Sequence, residues 1–423
     1  MASSTGKGLG FWTLTFLVVA NMIGAGVFTT SGYTLESLRD PWLVLFAWLA
    51  AGLLALCGAY SYGLLIQRMP VSGGEYSFLS QAIHPFAGFV AGWVSLLAGF
   101  SGAIAFAAVA LESYLPNILP PKLLAAAVVI LGALIHGAKH MIGISTQNVA
   151  VILKLLLLAA FLIFSIWSAG QDSWKGTSLP TSESTIGLLA FGQAMVWISL
   201  SYSGFNAGVY VAGEATHPKV VSRSLITGTA IVTVLYLLLN AAFVLAPPPG
   251  EIAGHPDIAA IAAFSIGGES FATFTRTVIS LALFTSILSM MMAGPRVYGK
   301  MAEDGILPKA FILRPDRTWP AVSLQLALAL LLIFISNPQD LLAFLGLTLS
   351  LSASVSVLCL FFGKNKPRGL SALPPLIFIT ATIVAAILLV IRDPWQALGT
   401  VLTILIAAAA YRLMILSQKG KLS

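Results

Sequence analysis

Two short segments concentrate glycine inside otherwise apolar stretches: Asn21-Met22-Ile23-Gly24-Ala25-Gly26-Val27-Phe28 and Ser201-Tyr202-Ser203-Gly204-Phe205-Asn206-Ala207-Gly208. Glycine costs about 1 kcal/mol relative to alanine inside a helix, so both clusters weaken helical continuity. A helix opened within a membrane leaves amides and carbonyls without partners, and a ligand carrying both an anion and a cation satisfies both kinds of group. The half-helix beginning near Gly26 offers free N–H groups and a positive dipole end to a carboxylate. That reading assigns Gly24, Ala25 and Gly26 to carboxylate binding. Carbonyls at the broken ends, near Met22, Leu200 and Ser201, would accept hydrogen bonds from an α-ammonium, and glycine lets a ligand come close to the backbone. For either segment alone, the plainer alternative is that glycine serves close helix packing.

Lys154 is the other informative residue. It lies about nine residues into an apolar span, roughly 14 Å at 1.5 Å per residue, in Val149-Ala150-Val151-Ile152-Leu153-Lys154-Leu155. A snorkelling lysine would reach the interface; its depth and apolar neighbours favour an internal partner, with a protonation state responsive to conformation. Asn206 could line a pocket or pair with helix backbone. Glu214 could be a solvated face or an ion-pair partner of Arg296. His136 and His140 have one-turn spacing, but no third ligand accompanies them, so no metal site is expected. Cys57 and Cys359 sit inside apolar spans and read as small buried thiols. No phosphate-binding glycine loop of the ATPase type occurs, nor a nucleophile–base constellation. No enzyme activity, cofactor or nucleic-acid partner is expected.

The elements that must position these residues are membrane spans. The chain has 423 residues, 58% hydrophobic and 9% charged, whereas soluble domains carry about 25% charged residues. Apolar stretches of about 20 residues, the bilayer-crossing length, recur from Phe11 to Leu416. Twelve spans are read, at approximately 11–35, 41–67, 86–114, 122–137, 145–169, 185–212, 222–246, 270–298, 320–336, 338–362, 371–391 and 394–416. Clusters such as Arg39-Asp40-Pro41 and Pro247-Pro248-Pro249 mark the joints. The N-terminus lacks a signal-peptide cleavage pattern, so the first span is expected to be retained. With the N-terminus cytoplasmic, 16 of the 22 basic residues fall in cytoplasmic segments and five in outer loops, with Lys154 inside a span. That is the positive-inside bias, and it places both termini in the cytoplasm. The broken spans, first and sixth, are five apart, as interrupted helices at matching repeat positions in transporters are.

Three segments carry a resemblance. Gly24-Ala25-Gly26-Val27-Phe28, Pro70-Val71-Ser72-Gly73-Gly74-Glu75-Tyr76, and the run from Pro295-Arg296 through Met301-Ala302-Glu303-Asp304-Gly305-Ile306-Leu307-Pro308 resemble, in order, motifs of the amino acid–polyamine–organocation transporter superfamily. The resemblance covers the chain nearly end to end. It implies an all-α integral membrane fold with a five-plus-five inverted-repeat core: repeats over 11–169 and 185–362, two additional helices over 371–416, and a single transporter domain over 1–423. It also implies alternating access around a site between spans one, three, six, eight and ten, and residence in a cell or inner membrane. By position it adds Leu200, Ser201, Ser203 and Met22 as ammonium contacts. It further suggests that Lys154 stands where related transporters bind sodium, near first-span carbonyls and the hydroxyls of Ser286 or Ser289. The sequence departs from the family at Tyr62, where an acidic residue is common, and at Leu200, where an aromatic gate is common.

Few ionisable groups are expected in the middles of the spans, and intramembrane charges mark function. Their scarcity favours a neutral amino acid over a polyamine or cationic substrate, unless a carboxylate reaches in from span three. The expected activity is sodium-independent secondary transport, by exchange or proton coupling. A transporter-like sensor and a channel are the readings from other classes. The oligomeric state is left open.

Overall fold

The structure, a computed structural model, describes residues 8–71, 73–116, 119–137, 144–169, 187–305, 307–312, 318–362 and 366–419, and only the backbone of 136–137, 144–151, 296 and 415–419. Ser72, His140, Ile306 and the side chains of His136 and Arg296 lie outside the described residues, so the expected Glu214–Arg296 pair does too.

No strand occurs among the described residues. Helices satisfy every backbone group within one segment, as a lipid environment demands. Eight helices there are long and apolar enough to cross a membrane. A ninth span forms if the bent pair Phe11–Met22 and Ala25–Leu38 counts as one, and Leu123–Ile135, Leu188–Tyr202 and Trp319–Ile335 are shorter apolar helices. Large apolar side chains such as Leu402, Leu405 and Ile391 stand exposed on the outer helices, as befits a multi-pass membrane protein.

Local sequence explains where helices begin. Each of Pro41, Pro85, Pro218 and Pro338 occupies the first helical position, where no N–H is needed, behind a residue that caps the helix. Asp40 accepts from Trp42 and Leu43 amides, His84 from Phe86, His217 from Lys219, and Asn337 from Asp340. Serine and threonine hydroxyls within the spans donate to the carbonyl one turn back, as Thr29 does to Ala25 and Thr229 to Leu225. Helices approach closely where glycine allows it. A methyl on Gly52 would overlap Thr233, and one on Gly63 would overlap Ser222, so the 41–68 and 218–245 helices pack tightly along their lengths.

Two features depart from the sequence reading. The span read as 86–114 contains a π-helical segment, Ser95–Gly102, which widens one face of the helix. The span read as 270–298 belongs to a helical stretch, Ile258–Glu303, kinked at Gly267 and at Gly268, whose φ is 68°.

Both anticipated breaks are present. The first helix stops at Met22 and restarts at Ala25 with a 44° bend. Leu188–Tyr202 stops before Ser203, Gly204 takes φ 107°, and a short turn, Ala207–Tyr210, follows. At the end of the bundle carrying Leu9, the chain entry pairs with the segment after the second break: the Leu9 amide donates to the Glu214 carbonyl at 2.8 Å. At the opposite end the first span packs on neighbouring segments. The Gly32 carbonyl accepts from the Gly254 amide at 2.8 Å, and the Tyr33 ring meets Trp197 edge-on.

Candidate functional site

The two breaks face one another across a cavity of about 260 Å³. Every residue read as substrate-binding lines it: Met22, Gly24, Ala25, Gly26, Leu200, Ser201, Ser203 and Asn206, together with Ser286. Lys154 and Ser289 do not line it. Helices from the third, eighth and tenth read spans complete the wall through Ala103, Phe106, Met290 and Ala353.

The helix Ala25–Leu38 starts from Gly24 in an extended conformation and has no side-chain cap. Among the described residues its first-turn amides and the positive end of its dipole therefore have no capping side chain or first-turn acid to meet them. The two glycines here serve different ends. Nothing stands within 4 Å of a methyl built on Gly24, whereas one on Gly26 would overlap Ser201 Oγ and stand 2.8 Å from Ser201 Cα. The space beside Gly24 is open, whereas Gly26 lets the two broken spans touch, so the packing explanation holds for one glycine of the pair.

The carbonyls read as ammonium acceptors already have protein donors. The Tyr236 hydroxyl lies 2.5 Å from the Met22 carbonyl and 3.0 Å from that of Ser201, bridging the breaks. The Leu200 carbonyl accepts from the Ser203 amide at 3.0 Å. A carbonyl has two lone pairs, so each retains capacity for a ligand. Tyr236 was not anticipated from the sequence. Its signal is a tyrosine in the middle of an apolar span, whose buried hydroxyl needs a partner.

Lys154 is 5% exposed, which excludes snorkelling to the interface, and its ammonium donates to the Ile23 carbonyl at 2.7 Å. No carboxylate pairs with it among the described residues. The hydroxyls of Ser286 and Ser289 instead donate to their own helix, at Ala282 and Thr285, both at 2.9 Å. Among the described residues the ammonium is thus tied to the first break.

A carboxylate missed at sequence level also lines the cavity. Glu75 is buried, at 6% exposure. It arrives from the short helix Gly74–Ala82, not from the third span. Gly73 and Gly74 adopt φ of 115° and 59°, the left-handed region that glycine enters without penalty, and this turn directs Glu75 inward. Its Oε1 accepts from Tyr62 at 2.8 Å and from Asn206 Nδ2, and its Oε2 from Tyr210 at 2.7 Å. The next residue, Tyr76, donates to Asp304 at 2.9 Å. The second and third sequence motifs therefore dock on each other.

The chain is similar to known transporters. It is 29% identical over 353 residues to the serine/threonine exchanger SteT of Bacillus subtilis, covering 79% of this chain and 78% of that protein. It is 26% identical over 397 residues to the large neutral amino acids transporter small subunit 2 of Mus musculus, covering 88% and 74%. It is 27% identical over 333 residues to the branched-chain amino acid permease BcaP of Lactococcus lactis, covering 72% and 70%. In fold it is similar to a manganese transporter of Eremococcus coleocola, with a TM-score of 0.55 at 14% identity over 98% of this chain and 95% of that one. The three sequence relatives are transporters, not enzymes, and they support amino acid transport across a membrane as this chain's activity. The amino acid permease family profile matches residues 9–415, and the chain belongs to that family, within the amino acid–polyamine–organocation superfamily.

Proposed function

We propose that the chain is a sodium-independent secondary transporter of neutral amino acids that works by alternating access, as an exchanger or with proton coupling. The observation that carries this reading is the pair of facing breaks around one cavity, with the uncapped start of Ala25–Leu38 on its wall. In the proposed complex, the amides at Gly24, Ala25 and Gly26 take the carboxylate. The carbonyls of Met22, Leu200 and Ser201, with Ser203 beside them, take the ammonium. Asn206 contributes to the pocket. Lys154 serves as the fixed or protonatable cation in place of sodium, with Ser286 and Ser289 as partners to which it could turn in another conformation.

The nine spans and three shorter apolar helices support a count of twelve. The breaks recurring five spans apart support inverted repeats over 11–169 and 185–362, followed by two helices over 371–416. Both termini are assigned to the cytoplasm of a cell membrane. On that orientation the end carrying the Gly32–Gly254 contact is the outer one.

Neutral substrates are favoured because the carboxylate on the wall, Glu75, already accepts from three protein donors. The relatives' printed substrates (serine and threonine, large neutral, branched-chain) agree. A cationic substrate is the second reading, and Glu75 is the observation that would support it. Uptake of labelled neutral, cationic and acidic amino acids into proteoliposomes tests the proposal. The assay is run without sodium, at two pH values, with and without internal unlabelled substrate. Saturable uptake of neutral amino acids is expected, and its dependence on internal substrate or pH separates exchange from proton coupling. No uptake by folded protein would overturn it.

A further inference from the structure

Away from the central cavity, Phe86, Ala408, Ala409, Tyr411 and Arg412 line an open groove on the outside of the bundle. It lies where the last helix, Leu398–Lys419, packs on Pro85–Val94. The Tyr411 ring joins the two, meeting Phe86 and Phe89 edge-on at 5.1 and 5.2 Å. The Pro85–Val94 helix runs on into Ser95–Gly102, whose Ser95 and Gly99 line the central cavity.

The position of the groove along the bilayer follows from the sequence. From Pro394 to Tyr411 the chain carries no charged residue, and Arg412 is the first after Asp393. That run of 18 residues rises about 27 Å at 1.5 Å per residue, close to the hydrocarbon thickness of about 30 Å. Trp395, 79% exposed, marks one membrane boundary, and Tyr411 with Arg412 marks the other, as interfacial aromatic and basic residues do.

Arg412 is exposed and has no hydrogen bond or ion pair to another described residue. No carboxylate lines the groove. A guanidinium at headgroup depth matches a phosphate with two parallel hydrogen bonds. Ala408 and Ala409 offer little bulk beside it, and one and two turns deeper the exposed Ile404, Leu405 and Val401 continue an apolar face. A phosphate at Arg412 thus leaves its acyl chain an apolar path. A zwitterionic headgroup would bring its own cation beside the guanidinium, whereas an anionic one would not.

We propose that this groove binds one anionic phospholipid, with its phosphate on Arg412 and an acyl chain over Ala408, Ala409 and the apolar face beneath them. The site needs only a bilayer around the chain and stands apart from the transport reading.

The test is native mass spectrometry of the detergent-purified protein, titrated with phosphatidylglycerol or with phosphatidylcholine of the same acyl chains. Wild type should bind the first phosphatidylglycerol about 5-fold more tightly than the first phosphatidylcholine, the factor one basic residue's attraction to an anionic surface supplies. Arg412→Gln should bring the two lipids to within about 2-fold of each other. Arg392→Gln, at the other boundary, should keep the wild-type preference. Ala409→Trp fills the groove without removing the charge, and it should weaken the first phosphatidylglycerol as Arg412→Gln does. Equal binding of the two lipids by wild type would overturn the proposal, as would a preference retained in Arg412→Gln or lost equally in Arg392→Gln. Wild-type binding by Ala409→Trp would overturn it too. A second copy of the chain is the other possible occupant. A wild-type dimer that becomes a monomer in Arg412→Gln, with no lipid preference in either, would assign the groove to that copy and overturn the lipid site.

Discussion

Gly24 and Gly26 lie two residues apart and answer to different forces. A methyl at Gly26 would drive into the Ser201 backbone, and overpacking of this kind costs about 1–3 kcal/mol. Gly26→Ala should therefore lower the unfolding temperature in detergent. Gly24→Ala meets open space and should leave that temperature unchanged while weakening the ability of substrate to raise it, because the added methyl occupies ligand room. Equal thermal losses in the two variants would contradict the assignment. Lys154 presents the costlier case, a buried ammonium with a single carbonyl partner among the described residues. If it replaces sodium, Lys154→Ala should reduce transport by 10-fold or more at normal expression, or change its pH or sodium dependence. Normal rates with normal pH and sodium dependence would remove Lys154 from the mechanism. Tyr236 joins both breaks through one hydroxyl. Tyr236→Phe leaves two buried carbonyls without that donor, at about 1–3 kcal/mol for an unsatisfied buried group. It should lower stability and shift substrate KM, as measured by thermal unfolding and uptake.

At the scale of elements, the short helix Gly74–Ala82 matters most. Its first turn sends neighbouring side chains in two directions, Glu75 to the second broken span and Tyr76 to Asp304 at the end of the 258–303 helix. Asp304 also pairs with Lys300 at 2.7 Å. Tyr76→Phe and Asp304→Asn should each cost about 0.5–1.5 kcal/mol, the net worth of one hydrogen bond, and the double variant should cost less than their sum. Strict additivity in thermal unfolding would mean that the bond contributes nothing. The helix was only partly legible beforehand. The run Gly73-Gly74-Glu75-Tyr76 stood out as a motif, yet its physical content depends on two left-handed glycines and on what lies across from them. A methyl on Gly74 would overlap the Tyr210 ring, a contact between residues 136 positions apart that no local pattern reveals. The π-helical segment Ser95–Gly102 was silent for a related reason: its apolar composition suits an α-helix equally well.

Across the whole molecule, the basic residues assign an orientation that labelling can test. Arg39 and Lys366 are both exposed and lie toward opposite ends of the bundle on the proposed topology. A cysteine at Arg39 should react with an impermeant thiol reagent added to intact cells, and one at Lys366 only after permeabilisation. The reverse pattern would invert the topology. The amino acid sequence alone determined that the chain lives in a bilayer, roughly where its spans lie, and where two of them break, because length, hydropathy and glycine content act locally. It also picked out Lys154, since a lone charge in an apolar run is costly wherever the run packs. Only the tertiary structure decided which donors meet the broken ends, that Gly26 serves packing while Gly24 serves space, and that a carboxylate enters the cavity from a loop helix. Those are relations between segments distant in the chain, and hydrogen-bond partners and steric room exist only once the helices are in contact.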